Sequence, residues 1–309
     1  MLHLRIVAPE TLRGPILDVL RDEPGVGNLL LFPGAALEPP GDQITADIAR
    51  ESVNTVIRRL KRLDVQHQGA ITLQALDTIL STRAHAAEES AEGDAADALL
   101  WDELIARTRE DSTLTVTFQL FLVLACLLAA IGVATDSAVT VVGAMVVGPE
   151  FGPLAALAVA AVQRRARLAR QAALALIVGF PVAMAVTGVV TLAAEAAGWI
   201  SVDNVTHLHQ VDFIYRVGPA SLLVALLAGA AGMLSLISSK SGALIGVFIS
   251  VTTVPAAGFA VVAAVLGDWA MAGRSALQLL VNLVGIVVGG LVVLTMRPRR
   301  SVIPRPAKS

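Results

Sequence analysis

The sequence predicts an α-helical polytopic membrane protein with six transmembrane helices, arranged as two inverted three-helix repeats behind an N-terminal α+β ferredoxin-like cytoplasmic domain. Three observations carry that expectation. Of 309 residues, 55% are hydrophobic and 16% charged, with a mean hydropathy of +0.73, whereas a soluble domain holds about 25% charged residues. The charge is segregated: residues 1–113 contain 11 basic and 19 acidic side chains, and residues 114–309 contain 12 and 6. The net charge of −2 therefore averages an acidic front and a basic body. From Leu114 onward the chain breaks into six apolar stretches, each near the ~20 residues that a helix needs to cross a bilayer.

The front, 1–80, reads as β-α-β-β-α-β. In LHLRIVA, Leu2, Leu4, Ile6 and Ala8 alternate with His3, Arg5 and Val7, the period of a strand. TLRGPILDVLRDEPG sets Leu12, Ile16, Val19 and Leu20 on one helical face, and Pro24-Gly25 stops it. VGNLLLF (26–32) and ITADI (44–48) are strands on either side of the turn-rich EPPGD. ESVNTVIRRLKRL spaces Val53, Val56, Ile57, Leu60 and Leu63 for a helix, and GAITLQAL (69–76) closes the set. This is the split βαβ order, of which ligand-sensing ACT domains are one variety. Residues 81–113 read as an acidic, alanine-rich linker (82–98) and an amphipathic helix (99–110), for either the membrane surface or the small domain. No secretory signal is visible in the charge-interrupted first 25 residues.

The predicted spans are 114–134, 138–162, 168–194, 218–237, 242–266 and 275–296, followed by a basic tail, 297–309. On one side fall Arg164, Arg165, Arg167, Arg170, Lys240, Arg297, Arg299, Arg300, Arg305 and Lys308; on the other, only Arg216 and Arg274. The positive-inside rule then puts both termini and the front domain in the cytoplasm. At Lys240, snorkelling to the interface is favoured over anion binding.

The second and fifth spans resemble each other. GAMVVGPEFGPLAALAVAAV begins at Gly143 and GALIGVFISVTTVPAAGFAVVAAV at Gly242; both reach a proline and end Ala-Ala-Val. Three spans per copy is an odd number, so the copies enter the membrane in opposite directions. Gly148, Pro149, Gly152 and Pro153 interrupt the second span, because proline removes an amide donor and clashes with the preceding turn. Ser250, Thr252, Thr253 and Pro255 give the fifth span a hydroxyl-lined interruption. Interrupted helices at equivalent places in two halves point to a midplane transport site. A kinked helix that only sets packing shape is the structural alternative.

Glu150 is the one acid well inside a predicted span. Such residues are functional candidates, able to carry a proton or bind a cation, or simply to cap the broken helix. Asn282 joins it as a candidate ligand, and Gln278, Thr187 and Thr191 are expected to hydrogen-bond between helices. Gly285-x-x-x-Gly289 permits close helix approach, and His207, His209, Asp203 and Asp212 form a weak external metal candidate. The single cysteine, Cys126, excludes an internal disulfide and reads as a buried thiol. The chain contains no P-loop, Rossmann fingerprint, nucleophile elbow or HExxH, so no enzyme activity and no cofactor are expected. The acidic front offers no face for nucleic acid.

LLAAIGVATDSAVTVVGAMVVGPEFGPLAAL (127–157) and SSKSGALIGVFISVTTVPAAG (238–258) resemble the membrane family called domain of unknown function 389, over roughly 95–296. The front domain is similar to that of actinobacterial members. The resemblance implies the fold and a prokaryotic cytoplasmic membrane, not a substrate. Glu150 departs from the family pattern, which has an apolar residue there, so the resemblance implies no general proton coupling. Together these readings predict a secondary transporter or permease of a small solute or ion, in the lipid bilayer and as a homo-oligomer, with a site at Gly148, Pro149, Glu150, Gly152, Ser250, Thr252, Thr253 and Asn282. The alternatives are a passive channel, or a non-transporting scaffold or sensor regulated by the soluble domain.

Overall fold

The computed structural model describes residues 1–76, 78–91, 100–199, 218–237 and 253–296. It divides into two compact units, Met1–Asp102 and Glu103–Ser309.

The first unit is a four-stranded antiparallel sheet of order β2-β3-β1-β4, with β1 Leu2–Ala8, β2 Val26–Leu37, β3 Pro40–Ile48 and β4 Ala70–Ala75. That order is the one a split βαβ produces. Helices α1 (Arg13–Arg21) and α2 (Val53–Arg62) bury Ile16, Leu20, Val53, Val56 and Leu60 against Leu2, Leu4, Ile6, Ile44 and Ile48. A one-turn helix, α3 (Val65–Gln68), leads into β4.

Two expectations for this unit need correction. The β2–β3 hairpin is longer than the alternation suggested. EPPGD is not a loop between short strands, because pairing extends to Leu37↔Pro40 at the tip. Nor is 82–98 wholly a linker. Thr82–Ser90 forms α4, capped by the Ser81 hydroxyl accepting from Ala84 N–H, with Ala84 and Ala87 buried where α4 meets β2 and β3. The first unit therefore runs past residue 80, to Asp102. Leu100 joins its core, Trp101 N–H reaches Asn54 Oδ1, and Lys61 pairs with Asp102 at 2.6 Å. The first turn of α5 (Trp101–Asp111) thus packs on the small domain, the second of the two readings given to this helix.

A partly buried charge pair braces the long hairpin. Arg13 Nε and Nη2 donate to the Asp42 carboxylate at 2.6 and 3.1 Å, and Gly34 N–H adds a bond at 2.9 Å. The Arg13 guanidinium, then the Gly34 amide, hold the Asp42 carboxyl below the usual aspartate range. A depressed carboxyl contributes stability that is present above its unfolded pKa and lost as pH falls through the folded one. Protection of the β1–β3 amides, corrected for intrinsic exchange, is therefore expected to decline below about pH 4. Asp42→Asn should be weaker at neutral pH and lose that acid-dependent slope.

The second unit is a bundle of apolar helices: α6 Val116–Ala134, α7 Ala138–Val147, α8 Phe151–Gln163, α9 Ala166–Ala196, α10 Pro219–Ile237, α11 Val254–Val265 and α12 Trp269–Met296. Among the described residues four helices are long and apolar enough to cross a membrane, and the α7–α8 pair, bent by 53°, makes up to five. The predicted fifth span, 242–266, is represented by α11, and its first residues lie outside the described ones. On α12, Leu277, Leu280, Val284, Val288 and Val292 are 41–61% exposed at spacings of three and four, a continuous apolar outer stripe. Such a stripe is suited to lipid and costly in water.

Within the bundle, Phe118 and Leu122 of α6 meet Gly179 of α9, and Gln119 Nε2 donates to its carbonyl at 3.1 Å. Gln171 Nε2, earlier on α9, donates to Arg109 O at 3.0 Å and Thr113 Oγ1 at 2.8 Å, so α6 and α9 run parallel. Helices α10 and α12 also run parallel, with Ala225 on Gly285 and Met233 on Gly290. Among the described residues Thr187 and Thr191 make no bond between helices. Each hydroxyl donates at 2.8 Å to the carbonyl four residues back in its own helix, where an acceptor is already in reach.

Candidate functional site

The break in the second span falls where glycine and proline predict it. Helix α7 ends at Val147, Gly148 takes extended backbone (φ −65°, ψ 128°), and α8 starts at Phe151 with Glu150 as its N-cap. Thr253 occupies the same place on α11, with a proline at the start of that helix. Elsewhere in the bundle N-cap hydroxyls do the ordinary work of capping: Thr115 accepts from Phe118 N–H and Ser137 from Thr140 N–H. At the break neither Glu150 nor Thr253 caps its own helix. The two side chains bond each other instead, Thr253 Oγ1 donating to Glu150 Oε1 at 2.5 Å, and both residues are fully buried.

The N-termini of α8 and α11 thus meet across one carboxyl–hydroxyl pair. Each N-terminus carries roughly +0.5 of an elementary charge. Together they favour a carboxylate, or a bound anion, at the meeting point. Cys126 on α6 lies in the same core, within electrostatic reach of Glu150.

The break reaches toward one end of the bundle. A Cβ on Gly152 would lie 2.5 Å from Asp111 Cβ and 2.9 Å from its carbonyl oxygen, so only glycine lets the end of α5 pack there. Partial burial raises the Asp111 carboxyl above its usual range, with Arg107 opposing and Glu110 adding to the shift. On the other side, α11 and α12 form a hairpin. Equal rise of about 1.5 Å per residue down both arms puts Thr253 level with Val281, at the middle of α12.

Beside that level, Asn282 belongs to a polar cluster between α10 and α12. Gln278 Nε2 donates to Asn282 Oδ1 at 3.1 Å and to Ser221 Oγ, an interhelical contact as expected. Of the predicted site, Gly148, Pro149, Glu150, Gly152 and Thr253 come together and Asn282 lies at the same level, while Ser250 and Thr252 fall outside the described residues. So do Lys240 and the histidine pair. Among the described residues no three His, Cys, Asp or Glu side chains come together. Sequence reasoning missed Ser221, Ser275 and Asp111. The helical spacing of Ser275 with Gln278 and Asn282 was the signal available.

Residues 145–288 match the family model described as domain of unknown function (DUF389). Over those residues the chain is similar to DUF389. The match begins just ahead of the α7–α8 break and covers Glu150, Thr253 and Asn282, so the DUF389 region contains every element that builds the pair. No curated protein and no solved structure matches the chain. The DUF389 description assigns no activity.

Proposed function

We propose that this protein is a secondary transporter or permease of a small solute or ion, working in a prokaryotic cytoplasmic membrane as a homo-oligomer with both termini cytoplasmic. Its spans would be six, in two inverted halves: α6, α7–α8 and α9, then α10, the segment ending in α11, and α12. The observation that carries this reading is the meeting of two helix N-termini, one of them at the α7–α8 break, at a buried Glu150–Thr253 pair. An apolar core tolerates irregular backbone only where protein or a cavity satisfies it. The packing adds support. In each half two long helices run parallel, and the half-helices cross over, α8 onto α12 and α11 onto α9. Glu150 is the ion or proton ligand in this scheme, and Gly148, Pro149, Gly152, Ser250, Thr252, Thr253 and Asn282 line the site.

The second reading is a non-transporting scaffold or sensor governed by the soluble domain. Full burial of the pair favours it.

Flux in liposomes separates the two. Wild-type protein is expected to show proton- or sodium-dependent uptake of a solute from an anion, cation and neutral-solute panel, and Glu150→Gln to lose the ion dependence. Identical flux for both proteins across the panel would sink the coupling role. No flux from either would favour the scaffold.

A further inference from the structure

The seam between α10 and α12 changes character along its length. In its second half the backbones touch. A Cβ on Gly229 would fall on the Ile286 carbonyl, and one on Gly289 on the Leu226 carbonyl. The first half carries Ser221 facing Gln278 and Asn282, with Ser275 on the same face of α12 at spacings of three and four. Ser275 and Asn282 are fully buried and Gln278 is 4% exposed. Two atoms of this patch, Ser275 Oγ and Gln278 Oε1, are buried with no hydrogen-bond partner among the described residues.

A buried polar atom without a partner forfeits its full hydration, and in an apolar bundle no lipid group makes up the loss. Two such atoms, one turn apart on one helix face, therefore mark a place that no described residue satisfies. The groups are uncharged, so they can part and rejoin without separating an ion pair. The glycine half cannot part as readily, because its contact is backbone on backbone and gains from every atom that stays packed. A seam that is polar at one end and glycine-locked at the other opens at the polar end.

We infer that the Ser221–Ser275–Gln278–Asn282 face is a second, uncharged solute site on the way to the Glu150–Thr253 pair. It admits water and a small hydrogen-bond-donating solute from the end where α10 and α12 begin, and it stops at the glycine contact beyond Asn282. The ligand chemistry follows from the open atoms: Gln278 Oε1 only accepts, and the Ser275 hydroxyl accepts as well as donates. Only the destination of this path rests on the transporter reading.

The test is thiol accessibility, which a chain with one cysteine makes simple. In a Cys126→Ala background, single Ser221→Cys, Ser275→Cys and Gln278→Cys variants in liposomes are treated with a membrane-impermeant, charged methanethiosulfonate. Val284→Cys, on the apolar outer stripe, and Ile286→Cys, buried beyond the seal, are the controls. Arg274→Cys reports reagent access at the start of α12. The cysteines at 221, 275 and 278 are expected to react at least about tenfold faster than those at 284 and 286. Reaction at 274 with none at 221, 275 or 278 would overturn the inference. Ser221→Cys and Ser275→Cys lie on opposite helices, so misfolding of one leaves the other to decide. Labelling in a protein that shows no flux would keep this site and remove the transporter reading, so the two fail separately.

Discussion

A Gly229→Val variant is expected to lose about 3 kcal/mol of stability, whereas Gly273→Ala should gain a few tenths to about 1 kcal/mol. Both glycines lie inside long apolar helices, α10 and α12, and intrinsic helix preference alone would favour replacing either. The difference is what a side chain meets. A Cβ at Gly229 would overlap the Ile286 carbonyl oxygen and carbon, backbone atoms that no rotamer change moves aside. At Gly273 an added Cβ meets no side chain and no other helix within 4 Å among the described residues, so a methyl group enters open space and only the entropic benefit remains. The helices would have to separate to admit valine, and that separation would also strip Gly285 from Ala225 and Gly290 from Met233. Thermal unfolding in detergent, followed by the tryptophans of the full chain, should show a lower midpoint for Gly229→Val and an equal or higher one for Gly273→Ala. Equal midpoints for the two variants would mean that the seam is not close-packed in the membrane protein.

The seam also shows which features were legible in the sequence. Gly285-x-x-x-Gly289 announced a close contact, but its partner, the Gly229 face of α10, could not be read off: in a bundle rich in glycine many faces have the same small-residue pattern. The α7–α8 break was legible because proline acts on its own helix, whatever the tertiary setting. The Glu150–Thr253 bond was not, since it joins residues 103 apart in sequence and depends on how two half-helices approach. Thr187 and Thr191 illustrate the opposite error. A hydroxyl on an apolar helix was assigned to a neighbouring helix when its own carbonyl, one turn back, was nearer. In the soluble unit, alternation located the strands, yet the length of the β2–β3 hairpin escaped it. Leu37 is 89% exposed and Leu30 and Phe32 are half-exposed, so burial does not select those residues for the strand. Backbone pairing does.

A double-mutant cycle on Glu150 and Thr253 is expected to give a coupling of about 1–2 kcal/mol, and to separate what the pair does for folding from what it does for flux. Thr253→Val keeps the shape of the side chain and removes the donor, leaving a fully buried carboxyl short of its bond. That should cost about 1.5–3 kcal/mol if the acid is charged and about 1 if it is not. Glu150→Leu takes away the acceptor and leaves one uncharged hydroxyl unpaired, a smaller loss than leaving a buried carboxylate short of a donor. Changing both to apolar residues of similar size should cost less than the sum, because nothing polar is left unpaired at the junction. Stability alone would then treat the pair as dispensable. Transport would not: the double apolar variant should recover much of its thermal midpoint and none of the ion-dependent flux, since no group at the two helix N-termini remains to take or release charge. Recovery of both would reduce the pair to packing. Additive single-variant losses, with a coupling under about 0.3 kcal/mol, would mean the bond between the half-helices does not form in the membrane, and the meeting of their N-termini would lose its chemical role.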